Sequence, residues 1–386
     1  MVSLVFRFRP HSCGVSKLTQ SIVLANIFHR PMRSFATLLA IGLEVALILT
    51  VVGLTRGIVI DSAKRIEGIG ADIILRPPGA SFLMATSAAP MPIKISEALY
   101  AVAGVRHVTP VLTELNSQGG LDLIYGIDLA SFNQVSGGFI FRSGSEFQNP
   151  MDVIIDDIYA QSKKLKVGDQ VTFLNHSFKV CGIVEHGKGS RIYLPIQTMQ
   201  NLMGVVGRAS LMYIKCYSKQ DVPEVTRKLK EQLPGYTVLP TEEFVSQMSS
   251  AINNMAALKY FIKLVTFIAA LVGFFVIFLA MYTAITERTR EIGILKSLGA
   301  SKSYVLAVFM KEALLLCLLG FLFGIVLSFG GELVIKTIFP SLQIIVGLDW
   351  MFKAAVIAVV SASLGALYPA LRAASQDPID ALAYEV

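Results

Sequence analysis

The chain has 386 residues and a net charge of +7, with 54% hydrophobic and only 16% charged residues. Soluble domains hold roughly a quarter charged residues, so this balance excludes an ordinary soluble globule and points to a membrane. Nucleic-acid binding is excluded too: the basic excess sits in residues 1–60, while the long middle of the chain is close to neutral.

The first predicted element, within residues 1–34, is an amphipathic helix along the inner membrane surface, where its bases meet membrane lipids. Leu18, Ile22, Ala25 and His29 fall at helical spacing before Pro31, which turns the chain into a span. Residues 35–60 form the first of four apolar runs of about 20 residues or more, enough to cross a bilayer core. The run is too long for a cleaved signal and reads as an uncleaved anchor. Glu44 interrupts it. An ionisable residue in a span faces protein or water and is a functional candidate by default. Two readings stay open: a hydrogen bond to a hydroxyl such as Tyr282 or Ser328, or a part in gating or cargo contact.

Residues 61–260 read as a mixed α/β domain. Alternating apolar residues predict strands at 72–75, 107–112, 121–125, 152–155, 170–174, 178–184, 190–194 and 209–216. Helices are predicted at 96–102, with Ser96 as N-cap and Gly104 as C-cap, and at 197–203 and 222–232. At either end the spans continue as helical stalks, through Thr55–Ile66 and through a stripe of Met248, Ile252, Met255 and Leu258.

The second span is residues 261–283, the third 305–330 and the fourth 351–372, with a short external loop at 331–350 and a tail at 373–386. Small residues recur every fourth position, as Gly320 and Gly324 in the third span and Ala358, Ala362 and Ala366 in the fourth. Small residues allow helices to approach closely in lipid, so these are predicted packing positions. Between the second and third spans, residues 284–304 are polar yet helical in period. Ile292, Leu295 and Leu298 are expected to share a face, with Gly299-Ala300 ending the helix. Basic residues before the first span and in 284–304 place both termini and this segment in the cytoplasm, and residues 61–260 outside.

Enzyme signals are weak. Gly182-Ile-Val-Glu-His-Gly-Lys-Gly189 lacks the hydroxyl residue of a phosphate loop and lies between two predicted strands. No metal site is predicted, although His176 and His186 flank one strand. Cys181 and Cys216 sit on predicted strands, as a bridge or as two buried thiols.

The run from Thr286 to Tyr304 and the closing Tyr368-Pro-Ala-Leu-Arg-Ala-Ala-Ser-Gln-Asp-Pro-Ile-Asp-Ala-Leu382 resemble ABC transporter permeases of the FtsX/MacB-like type. The middle segment is similar to their periplasmic core domain at Gly104-Val-Arg-His-Val-Thr-Pro110, Tyr125-Gly-Ile-Asp128, Val167-Gly-Asp169 and Phe178-Lys-Val-Cys-Gly-Ile-Val184. The resemblance implies a multi-pass protein of the bacterial inner membrane: four transmembrane helices with an extracytoplasmic α/β domain inserted after the first. It implies a non-enzymatic subunit that needs no cofactor itself, with ATP and magnesium bound by a separate cytoplasmic ATPase. That partner is expected to meet Glu287, Arg290, Glu291, Ile292, Gly293, Leu295, Lys296, Gly299 and Ala300. A second permease copy, identical or a close paralogue, and a periplasmic adaptor are the other partners it allows. It implies mechanotransmission that drives export or extraction of a substrate; the alternative is a signalling or division-control subunit acting on an outer hydrolase.

Overall fold

The computed structural model describes residues 31–80, 90–116 and 122–377. The amphipathic helix expected before Pro31 and the end of the closing motif, from Pro378 on, lie outside the described residues.

Among the described residues four helices are long and apolar enough to cross a membrane, and an α/β domain lies between the first and second. Helix α1 runs unbroken over Pro31–Gly68. Pro31 is its first residue, a position that suits the fixed φ of proline. The chain divides into two compact units.

The α/β unit holds residues 54–259 and 335–344. After α1, its elements are β1 (Ile73–Arg76), β2 (Met91–Pro92), α2 (Ile95–Tyr100), β3 (Val105–Asn116), β4 (Asp122–Ile127) and α3 (Leu129–Ser136). Then come β5 (Phe141–Gly144), β6 (Asp152–Asp156), α4 (Asp157–Lys163), β7 (Gln170–Phe173), β8 (His176–Val184), β9 (Ile192–Pro195) and α5 (Ile196–Met203). The unit continues through β10 (Arg208–Ala209), β11 (Leu211–Cys216), α6 (Val222–Gln232), β12 (Thr237–Pro240) and α7 (Thr241–Asn254).

The main sheet runs β12-β1-β11-β3-β4-β9-β6-β8-β5, with β7 beside β8, and β10 pairs with β2 separately. Its centre is set by register. Thr113 of β3 lies opposite Tyr125 of β4, which lies beside Tyr193 of the parallel β9, and Tyr213 of β11 faces Thr109. Tyr125, Tyr193 and Tyr213 are therefore buried on one face, with the Tyr125 and Tyr213 hydroxyls 3.2 Å apart.

Several sequence expectations shift. Helix α2 ends at Tyr100, and Lys94 rather than Ser96 is its N-cap; the Ser96 hydroxyl turns back to donate to the Ile93 carbonyl at 2.8 Å. Gly104 belongs to the turn into β3, where its φ of +102° and a side chain of Val225 exclude a Cβ. The second stalk is broken: α7 ends at Asn254, Met255 has an extended ψ of 115°, and a new helix starts at Ala256. Asn253 and Asn254 are poor helix formers, which suits a break there. Cys181 and Cys216 are separate thiols, pushed up to about 12 and about 11 by burial, with carboxylates nearby adding to the shift.

Of the described residues, the helical unit holds 31–53, 260–334 and 345–377. Besides the start of α1 it contains most of α8 (Ala256–Glu287), α9 (Thr289–Ser297), most of α10 (Lys302–Ile338) and α11 (Leu348–Ser375). The expected external loop at 331–350 is shorter, because α10 continues to Ile338 and α11 begins at Leu348.

Candidate coupling helix and the polar interior of the helical unit

The segment between α8 and α10 is a short helix held at both ends. Thr283 and Thr286 of α8 and Thr289 of α9 direct their hydroxyls back to carbonyls three and four residues earlier, which satisfies these polar groups within the helices and favours bending rather than a straight run. At Arg288 the backbone leaves the helix, with φ −113° and ψ 18°, and α9 begins at Thr289. Its far end is a Schellman turn: Ala300 N–H bonds the Leu295 carbonyl, Gly299 N–H bonds that of Lys296, and Gly299 has φ +95°. A left-handed residue is needed there and glycine supplies it without strain.

The faces of α9 differ from the expected stripe. Thr289, Ile292 and Gly293 are buried, with Ile292 only 2% exposed, whereas Leu295 is exposed and Leu298 is 80% exposed. Each residue turns the helix by about 100°, so a spacing of three falls back about 60° at every step and carries Leu298 away from Ile292. The outer surface carries Glu287, Arg290, Glu291, Ile294, Leu295 and Leu298. Lys296 does not belong to it: its ammonium donates to the carbonyls of Ala374, at 3.1 Å, and Gln376. Those acceptors come from the end of α11, a distant part of the chain that no helical period in 284–304 reveals.

Glu44 is 4% exposed within the bundle. Its Oε1 accepts a hydrogen bond from Ser361 of α11 at 3.2 Å. The hydroxyls anticipated from sequence are elsewhere: Tyr282 accepts from Arg372 at 2.9 Å, and the buried Ser328 hydroxyl has no hydrogen-bond partner among the described residues. The second carboxylate oxygen, also without one, lies where a Cβ on Gly273 of α8 would stand.

Close helix approach explains the small residues around it. A Cβ on Gly320 would stand 2.7 Å from the Ile41 Cβ, and one on Gly324 2.7 Å from the Val45 Cβ and 2.8 Å from the Gly42 carbonyl. Ala358, Ala362 and Ala366 are fully buried along α11. Sequence reasoning missed Gly42, Gly273 and Gly365; a Cβ on Gly365 would stand 2.7 Å from the Phe274 carbonyl. Each is an isolated glycine in an apolar run, which is the signal that could have found it.

Among the described residues no group of three His, Cys, Asp or Glu could hold a metal. His186 pairs with Asp157 at 2.9 Å and His176 bonds the Leu174 carbonyl at 2.8 Å. The glycine-rich stretch 182–189 leaves β8 and leads into β9 rather than a helix, so no helix N-terminus receives a phosphate there.

The family model of the MacB-like periplasmic core domain matches residues 34–232, and that of the FtsX-like permease C-terminal region matches residues 263–378. A macrolide export ATP-binding/permease protein MacB of Salmonella paratyphi A is 29% identical over 92% of this chain and 58% of its own length. A probable export ATP-binding/permease protein of Pseudomonas fluorescens is 26% identical over 93% of this chain and 59% of its own. The chain thus spans a little under three fifths of these relatives. The crystal structure of the periplasmic region of MacB from Actinobacillus actinomycetemcomitans matches 50% of this chain and 98% of that one, at 19% identity and a TM-score of 0.35.

Proposed function

The chain belongs to the family of ABC transporter permeases that join a MacB-like periplasmic core domain to an FtsX-like C-terminal region, and from this premise we propose that it works by mechanotransmission. In this reading ATP is bound and hydrolysed by a nucleotide-binding domain outside these residues. That domain grips α9 on the cytoplasmic side, and its closure moves the α/β domain on the other side of the membrane. The motion drives export or extraction of a substrate. Two copies of the permease, identical or paralogous, act together on two nucleotide-binding domains.

The observation that carries the reading is the division of α9 into two faces. One face is anchored by Ile292, Gly293 and Lys296, so force applied to the helix reaches α8, α10 and α11. The other presents Ile294, Leu295 and Leu298 beside Arg290 and Glu291, an apolar contact area with charges that set register. Glu291→Arg tests it. A like charge at a buried interfacial pair costs about 2–5 kcal/mol. The variant should insert normally, lose most co-purification with its ATPase and uncouple hydrolysis from transport. Full binding with full coupling would reduce α9 to a connecting turn.

A further inference from the structure

The α/β unit contains a cavity of about 630 Å³, within the range of sites for small organic ligands. Its walls come from the outer part of α1, from the tyrosine face of the sheet, from Phe244 and Met248 of α7 and from the connector 339–343. The connector is fixed in place. Gly57 of α1 leaves room for the Gln343 carbonyl where any Cβ would collide, and Arg191 donates to the Ser341 carbonyl at 3.2 Å.

Charge in this cavity is lopsided. Arg65, Arg76, Lys163 and Arg191 line it against one lining carboxylate, Asp61. A single oxygen of Asp61 serves both Arg65 and Arg191 at 3.1 Å, and a second acid, Asp156, stands behind Arg191 at 3.6 Å. Among the groups that line the cavity cations outnumber carboxylates, so the lining itself is basic. Arg76 and Arg191 are 2% and 5% exposed, so that charge is screened little by solvent. Burial holds the Arg76 guanidinium below its ordinary range, and the ring of Phe244 lies 5.4 Å from it. Of the paired hydroxyls of Tyr125 and Tyr213, one O–H bonds the other oxygen and the second is left as a donor. The remaining lining is apolar, chiefly Ile58, Ile66, Leu123, Leu211, Phe339 and Leu342.

A cationic end, a hydroxyl donor and a long apolar wall match one ligand chemistry. We propose that this cavity binds an anionic amphiphile, its phosphate or carboxylate at the arginines and its apolar chain along α1 and the connector. Guanidinium is the group suited to such anions, because its planar fork bonds two oxygens at once. The inference does not depend on α9, so either reading can fail alone.

The test uses the full chain in a neutral sugar detergent, without an ATPase, observed by native mass spectrometry. Dodecyl phosphate should give a one-to-one adduct, dodecylphosphocholine should bind about tenfold more weakly, and inorganic phosphate should give no adduct at that concentration. Repeating the titration with phosphatidic acid separates sources: binding identifies a bilayer lipid, and no binding a soluble single-chain amphiphile. Ser62→Phe, which fills the cavity, and Arg76→Met, which removes a cation but keeps a stem, should each weaken dodecyl phosphate about tenfold; Lys263→Met in the helical unit should not. Should Arg76→Met fail to fold, Ser62→Phe decides. Equal binding of phosphocholine, equal binding of phosphate alone, or wild-type binding by a folded Ser62→Phe variant would overturn the proposal.

Discussion

Gly273 and Glu44 occupy one space, and this makes a double-mutant cycle informative. In a helix interior Gly→Ala is ordinarily favourable by about 1 kcal/mol, since alanine restricts the unfolded chain. At position 273 the added methyl would overlap the Glu44 carboxylate, which is held by the Ser361 hydroxyl at 3.2 Å. Overpacking of this kind costs about 1–3 kcal/mol, enough to reverse the propensity gain. In a Glu44→Ala background the obstruction is gone, and Gly273→Ala should again be neutral or stabilising. The propensity gain cancels between the two backgrounds, so the coupling between the two changes is about 1–3 kcal/mol, above the few tenths at which independent sites add. Reversible unfolding in detergent, followed by far-ultraviolet circular dichroism, measures all four corners. Equal effects of Gly273→Ala in both backgrounds, within about 0.5 kcal/mol, would refute this account of the interior.

Two other consequences follow from the geometry. Asp156 is buried, which raises its carboxyl to about 6 although Arg191 partly opposes the shift. A raised acid holds its proton longer in the folded state, so its stabilising contribution is complete below the unfolded value near 3.8 and is lost as pH rises through about 6. Asp156→Asn keeps an oxygen for the Tyr159 N–H and should flatten the fall in stability between those values, whereas an unchanged pH profile would sink the assignment. For topology, a single cysteine at exposed Ser143, in a background without native cysteines, should react with an impermeant maleimide in intact cells. One at exposed Ser297 should not, and the reverse pattern would overturn the placement of α9 in the cytoplasm.

Legibility in the sequence followed the range of the interactions. The spans were plain because a bilayer demands long apolar runs, and their small-residue spacing was equally local. Most sheet strands were visible through alternation, but the two-residue β2 was missed, and so were β5, whose Phe-Arg-Ser-Gly holds a single large apolar residue, and β12, whose Thr-Val-Leu-Pro ends in a proline and does not alternate. Helices α3 and α4 were missed although signals existed: Asp128 and Asp156 cap them through the Ser131 and Tyr159 amides, and left-handed Gly137 and Lys164 close them. Strand order was not legible, because β3 pairs with β11 across a long stretch of chain. The same limit hid the partners of Glu44 and Lys296, whose contacts on α11 lie far along the sequence.

Photocrosslinking from α9 tests the central claim most directly. A photoreactive amino acid at Leu298, which is 80% exposed, should form an adduct with the nucleotide-binding partner in the assembled complex, and one at the buried Ile292 should not. An absent adduct at Leu298, or equal yields at both positions, would contradict docking on this helix.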